Sequence, residues 1–144
     1  MQRERPEVGV AAVIRDGGGR TVLVRRGQAP YGGRWAFPGG HLEWAETLGS
    51  GAEREAAEET GLTVAAGAPL FVGEVRRTNG QGRIDSHFIV VDIACEWSGA
   101  GALRAGTDAR AARWIAADEV DRLVLAPGMS ECLRDSRVRA FLGW

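Results

Sequence analysis

Residues 39–62 read GGHLEWAETLGSGAEREAAEETGL, and this stretch decides both the fold and the chemistry. It holds six glutamates and a single arginine between positions 43 and 59. A helix that only decorated a surface would interleave bases with its acids. Here the carboxylate is piled onto one segment, directly after a Pro-Gly-Gly turn.

Residues 47–60 have the marks of a helix. Thr47 is a suitable N-cap, and Gly61 stands where a left-handed C-cap residue is wanted. Gly49 and Gly51 weaken the first turn by about 1 kcal/mol each relative to Ala, with no reason visible in the sequence. On such a helix Glu55, Glu58 and Glu59 are spaced i, i+3, i+4 and share one face. Like charges at those spacings repel by roughly 0.2–0.5 kcal/mol per pair. Arg54 is placed to relieve Glu58 at i+4, but no base in the helix faces Glu55 and Glu59. Ala52 and Ala56 lie beside them and are small enough to let the helix approach a sheet. Two readings remain at this level: a solvated acidic face, or a site for a hard divalent cation that takes oxygen ligands. The flexible backbone of Pro38-Gly39-Gly40, where a carbonyl can turn toward a metal, favours the second.

The rest of the chain is consistent with a single domain over residues 1–144, of 15.4 kDa. Hydrophobic residues make up 44%, enough for one core at this size. The formal net charge of −1 predicts neither nucleic-acid nor membrane binding. All 18 bases are arginine, so any basic contact to phosphate must come from Arg. The two cysteines, Cys95 and Cys132, lack metal-type spacing and read as small buried hydrophobes. No apolar run is long enough to span a bilayer, which points to a cytoplasmic setting.

Residues 8–14 and 21–26 read as strands joined by DGGG, the first of them buried on both faces. Residues 28–34 form a loop. Residues 62–78 are strand material, NGQG is a turn, and residues 84–97 are a long strand. Residues 98–110 read as a loop, 111–115 as a short strand and 116–123 as a short helix. The stretch after Pro127 reads as one amphipathic helix. Interleaved strands and helices give a layered α/β or α+β architecture.

The acidic segment resembles the Nudix box. That pattern is Gly, five residues, Glu, seven residues, Arg-Glu, an aliphatic residue, any residue, Glu-Glu, any residue, Gly and an aliphatic residue. Gly40, Glu46, Arg54-Glu55, Ala56, Glu58-Glu59, Gly61 and Leu62 fill it at the required spacing. Ala56 is small for its aliphatic position, and Ala45 stands where many members have Gly. GRWAFPGGHLEW, together with residues 84–97 and 106–114, resembles the small nucleoside-triphosphatase and ADP-ribose-pyrophosphatase-like members.

The resemblance implies an α/β/α sandwich around a central mixed β-sheet. It also implies Mg²⁺-dependent, or Mn²⁺-dependent, hydrolysis of a diphosphate in a nucleoside diphosphate linked to another moiety. Glu55, Glu58, Glu59 and the Gly39 carbonyl correspond to the metal ligands. Arg54 corresponds to a residue that orients a catalytic carboxylate, while Gly40, Glu46 and Gly61 shape the loop and helix. Glu43 is expected to support them. The general base is open among Glu58, Glu55 and, outside the box, Asp108. A metal-activated water needs no Ser or Cys nucleophile, and no such motif is present. Arg25, Arg34, His41 and Trp44 are candidates for contacting a nucleotide substrate. Arg26, Arg76, Arg77 and Arg83 extend the list of phosphate candidates, and Trp35 and His87 that of base contacts. Phe37 and Phe88 read as core. A homodimer is compatible with the long strand and with Trp97. The alternative to catalysis is a nucleotide sensor on the same fold, a role that usually goes with a degenerate box.

Overall fold

The computed structural model describes residues 4–27 and 31–144. The N-terminal three residues and Gln28, Ala29 and Pro30 of the expected loop lie outside the described residues.

Strand β1 (Glu7–Arg15) is the centre of the molecule. Its run from Val10 to Ile14 is at most 6% exposed, so both of its faces are covered. It pairs in parallel with β6 (Ile84–Gly101) and antiparallel with the three-residue β4 (Gly39–His41). The long β5 (Leu62–Thr78) pairs with β6 and completes a mixed sheet in the order β4-β1-β6-β5. A second, antiparallel sheet has the order β3-β2-β7, formed by β3 (Trp35–Ala36), β2 (Arg20–Arg26) and β7 (Ala109–Ala116).

Alternation along β1 splits the core in two. Val10, Ala12 and Ile14 pack with Val22, Ile93 and Cys95 beneath helix α1 (Leu48–Thr60), whose Ala52 and Ala56 are fully buried. Ala11 and Val13 face the other way, onto Leu23, Trp35, Phe37 and Ile115 and onto the short helices α2 (Met129–Arg134) and α3 (Ser136–Leu142). Helices on both sides of a mixed sheet make the expected α/β/α sandwich.

Several local expectations are revised. β6 continues through residues 98–101 instead of ending at Trp97, because Gly101 still pairs with Leu62. The segment after β7 is a 3₁₀ helix (Ala117–Arg122). The single C-terminal helix is two helices. Asp135 takes an extended conformation (φ −66°, ψ 135°), and its carboxylate accepts from the Arg137 and Val138 amides, ending one helix and capping the next. Trp97 is half-buried on the core, with its ring 5.1 Å from that of Trp114. Trp35 is likewise buried at 8% exposure and is not available to stack on a base.

Helix α1 begins and ends as its sequence requires. The Thr47 hydroxyl accepts from the Ser50 amide, and Gly61 adopts φ 75°. The softening glycines of the first turn now have a steric reason. A Cβ on Gly51 would sit 3.0 Å from Glu46 Oε1 and from Leu42 Cδ1, and 3.1 Å from Val10 Cγ1. A Cβ on Gly49 would lie 3.3 Å from Ala66 Cβ. The helix start is pressed onto the box loop and the sheet.

Candidate active site

The site forms where α1 crosses β4. Register fixes the role of Gly39. Ala12 N–H donates to Pro38 O and Leu42 N–H to Val8 O, with Val10 opposite Gly40 between them. In an antiparallel ladder the polar groups of the alternate residue, Gly39, then point away from β1. Its N–H donates to Glu59 Oε2 at 3.3 Å. The Gly39 carbonyl shares that side and is not used by the ladder.

Gly40 lets the helix come close. A Cβ there would fall 2.5 Å from Glu55 Oε1 and 2.9 Å from its carboxyl carbon, so only glycine leaves room for the acid. Glu55 is 7% exposed, and Glu59 also lies inward. Burial pushes both carboxyls up. Glu59 rises to about 7, through burial first and the Glu55 charge second. Glu55 is raised chiefly by burial, with Arg54 holding it back. These are carboxylates short of counter-charge.

Arg54 supplies part of it, more widely than the helix pattern suggested. Its Nε and Nη2 grip Glu46 in a bidentate pair at 2.7 and 2.9 Å. Its Nη1 reaches Glu55 Oε1 at 2.9 Å and Glu58 Oε2 at 3.3 Å, and Nη2 also donates to the His41 carbonyl at 3.0 Å. The expectation that no base in the helix faces Glu55 is therefore corrected: adjacent positions converge because the guanidinium folds back over the helix. Glu46 is held to about 2 by the Arg54 hydrogen bonds and the Glu43 amide, and Arg54 is itself pushed further up, first by Glu46. One guanidinium thus serves Glu46, Glu55 and Glu58, with Glu43 at 3.9 Å.

The three box acids do not all converge. Glu55 and Glu59 face Gly39 and Gly40, whereas the Glu58 side chain is 59% exposed and rests on Arg54. Among the described residues no three acidic, histidine or cysteine side chains are already grouped as a metal cage. What is assembled is an all-oxygen donor set of two inward carboxylates and the Gly39 carbonyl, with Glu58 at its edge. The chemistry of that set fits a hard divalent cation.

The other candidates lie around this centre. His41 and Trp44 line a groove of about 460 Å³ with Arg5, Glu7 and Glu43. His41 lies 3.5 Å from Glu7 and 5.1 Å from the Phe88 ring, and Trp44 is 99% exposed. Asp108 follows β6, and its carbonyl accepts from the Gly27 amide at 3.2 Å. Asp108 raises the Glu59 proton affinity and Arg26 lowers it, so both are close enough to act there. Arg25 donates to Gly33 O at 3.3 Å, and the Arg34 carbonyl takes the Arg26 amide. Arg77 is occupied by Asp85 at 2.9 Å, and His87 lies 3.4 Å from Glu74, so these two are engaged on the β5–β6 hairpin.

Two residues near the core and site escaped the sequence reading. Arg110 stands beside Gly33 and Arg25, and nothing in its local sequence signalled it. Asp92 is 6% exposed on the central strand β6, and burial pushes it up to about 7. An acid inside the apolar run IVVDIAC was the available signal.

The chain is similar to known proteins over most of its length. The NUDIX domain pattern matches residues 5–136. An ADP-ribose pyrophosphatase of Methanocaldococcus jannaschii is 30% identical over 118 residues, covering 82% of this chain and 66% of that protein. A MutT-like protein of Streptomyces ambofaciens is 35% identical over 114 residues, covering 78% of this chain and 66% of its own length. The chain thus spans just under two thirds of these relatives. The crystal structure of a MutT NUDIX hydrolase from Burkholderia pseudomallei superposes with a TM-score of 0.71 at 26% identity, covering 92% of this chain and 99% of that one. With the box filled, the sandwich formed and the pattern matched over nearly its whole length, this chain belongs to the NUDIX domain family.

Proposed function

We propose that this chain is a Mg²⁺-dependent hydrolase, with Mn²⁺ as a substitute, that cleaves the diphosphate of a nucleoside diphosphate linked to another moiety. A nucleoside triphosphate or an ADP-ribose-like molecule is the substrate class, and a nucleoside monophosphate is released. The observation that carries this reading is the pair of buried Glu55 and half-buried Glu59 set against the glycine backbone of β4. Two such carboxylates in low dielectric are held apart from charge neutrality unless a cation or proton joins them.

Glu55, Glu59 and the Gly39 carbonyl would hold the ion, with Glu58 reaching in from the rim. When bound, a divalent ion offsets the polyanionic charge of the diphosphate and lowers the pKa of a coordinated water. The chain's own residues do the rest. Arg54 fixes the Glu55 carboxylate, and Glu46 fixes Arg54 in turn by a two-point pair, so the donor set is oriented before substrate arrives. Glu58 is the exposed acid of the three, and only Oε2 is engaged by Arg54. We assign it the proton of the attacking water, accepted at Oε1. Asp108, beside Glu59, is the alternative acceptor. The two cysteines are buried free thiols, as suits a reducing cytoplasm. No described helix is long and apolar enough to cross a membrane.

The test is a Mg²⁺-supplemented hydrolysis panel over nucleoside triphosphates, ADP-ribose, nucleotide sugars and dinucleoside polyphosphates. Glu58→Gln and Glu59→Gln are each expected to lower kcat by roughly 10²-fold or more. Full activity in both variants would sink the site assignment. Nucleotide binding by calorimetry without turnover on any substrate would favour a sensor instead.

A further inference from the structure

The β5–β6 hairpin ends in a ribbon that the rest of its sheet does not support. β1 begins its pairing with β6 at Glu7 and Phe88, so residues 84–87 have only β5 beside them among the described residues. β5 is in turn the outermost strand of that sheet, and no described strand pairs with its free edge. Two strands alone are marginally stable in water, and a free edge leaves a row of N–H and C=O groups ready to pair. The ribbon also shows apolar surface, with Val72 60% exposed and Ile84 53% exposed. A further strand added to β5 would support the ribbon, satisfy the edge and cover Val72.

Charged side chains on an edge usually keep other strands away. On β5 their order instead suits a second copy of the same strand. Val72, Glu74, Arg76 and Thr78 alternate onto one face, and Gly73, Val75 and Arg77 onto the other. Arg77 is held by Asp85 at 2.9 Å, whereas Arg76 forms no ion pair among the described residues. A two-fold axis normal to the sheet keeps every side chain on its own face, so residues set opposite one another must share a face. The axis therefore passes through a residue and not between two. Glu74 is the only acid of β5, and Arg76 the only base on its face. Only an axis through Val75 sets them against each other, Glu74 opposite the partner's Arg76 and Arg76 opposite the partner's Glu74. The same register places Val72 against the partner's Thr78 and Val75 against itself. It also places Gly73, which has no side chain to obstruct, against the partner's Arg77.

We propose that this chain forms a two-fold dimer by antiparallel pairing of β5 with the β5 of a second copy, centred on Val75. The two sheets then run on as one, and the two-stranded end of each hairpin becomes part of a four-stranded ribbon. Pairing over residues 72–78 buries less than a standard interface of about 1,600 Å², so the dimer is weak and depends on concentration. It uses none of the box glutamates and stands or falls apart from the diphosphatase reading.

Sedimentation equilibrium from about 5 μM to about 500 μM tests it, since an interface of this size acts in that range. The wild type should dimerise across the series. Glu74→Arg and Arg76→Glu each set like charges opposite one another twice per dimer, and each should weaken self-association by about tenfold or more. Mixing the two variants restores opposite signs at both contacts, so the mixture should dimerise although neither variant does alone. Both positions are exposed, so the melting temperatures should stay near the wild-type value. Arg122→Glu, at an exposed position on the 3₁₀ helix, makes the same charge change elsewhere and should leave the dimer intact. A wild type that stays monomeric throughout overturns the proposal. So does a dimer that either single variant leaves unchanged or that Arg122→Glu weakens equally, and so does a mixture that stays monomeric.

Discussion

Replacing Asp92 by Asn should abolish a large part of the pH dependence of this protein's stability. Asp92 lies on the central strand β6, opposite Ala11 of β1 and Phe71 of β5, and is 6% exposed. Burial raises its carboxyl from 3.8 to about 7, while a hydrogen bond with Cys132 pulls the other way. The fold therefore prefers the protonated acid. Because the folded pKa lies above the unfolded one, this stabilisation is fully present below about pH 4 and is lost as pH rises to 7. Between those limits the unfolded chain has released its proton and the native chain has not, so stability falls by about 1.4 kcal/mol per pH unit. Across roughly three units this amounts to about 4 kcal/mol, a large share of the 5–15 kcal/mol that holds a typical domain. Urea denaturation followed by tryptophan fluorescence at pH 5, 6, 7 and 8, in EDTA, measures it. Glu59 titrates in the same range and contributes its own slope, which the comparison of Asp92→Asn with the wild type removes. The asparagine amide leaves polar atoms to satisfy, at roughly 1–3 kcal/mol, but that cost does not vary with pH. The variant should gain on the wild type steadily from pH 5 to 7 and then stay level. A difference that is flat from pH 5 to 8 would refute the reasoning, since Asp92 would then be ionised in the fold throughout.

Arg54→Lys keeps the charge but loses the two-point grip on Glu46 while reaching for Glu55. It should lower kcat by roughly tenfold or more with a smaller change in KM, measured by steady-state kinetics on the best panel substrate. Gly40→Ala places a methyl 2.5 Å from Glu55 Oε1, so it should weaken the Mg²⁺ dependence of activity well before it lowers Tm. A metal titration unchanged from the wild type would contradict that contact. Gly49→Ala and Gly51→Ala separate propensity from packing. At Gly49 the 3.3 Å neighbour is a lone methyl, and the helix gain of about 1 kcal/mol should dominate. At Gly51 three atoms of Glu46, Leu42 and Val10 crowd the new methyl within 3.1 Å, and the same change should destabilise, as thermal melts of the pair would reveal.

Much of this protein is legible along the chain because its signals are local. Thr47 and Gly61 bound the helix, the apolar run of β1 marks a strand covered on both faces, and the glutamate spacing marks one helix face. Helix periodicity and capping act over a few residues, so sequence carries them directly. The box pattern added the family, the sandwich and the proposed reaction class, all from fixed offsets within residues 40–62.

Other features exist only after distant segments meet. The break of the C-terminal helix is the exception, because Asp135 caps the amides of Arg137 and Val138 only two and three residues on, a local signal that the sequence reading passed over. Gly49 and Gly51 look like defects until α1 is pressed onto Leu42, Val10 and Ala66. Arg54 appears paired to Glu58 by spacing, yet its firmest grip is on Glu46, eight residues back across the loop. Asp92 has an ordinary carboxylate in the sequence and a proton-holding one in the fold, because desolvation is a property of what packs around it. Arg25 and Arg110 lie 85 positions apart and both come near Gly33 because β2 and β7 are paired. The sequence by itself determined the helix, the covered strand and the acids proposed to bear the chemistry. Only the tertiary structure decided which of those acids turn inward and how one arginine is shared among them, since charge balance and burial depend on through-space neighbours and not on order along the chain.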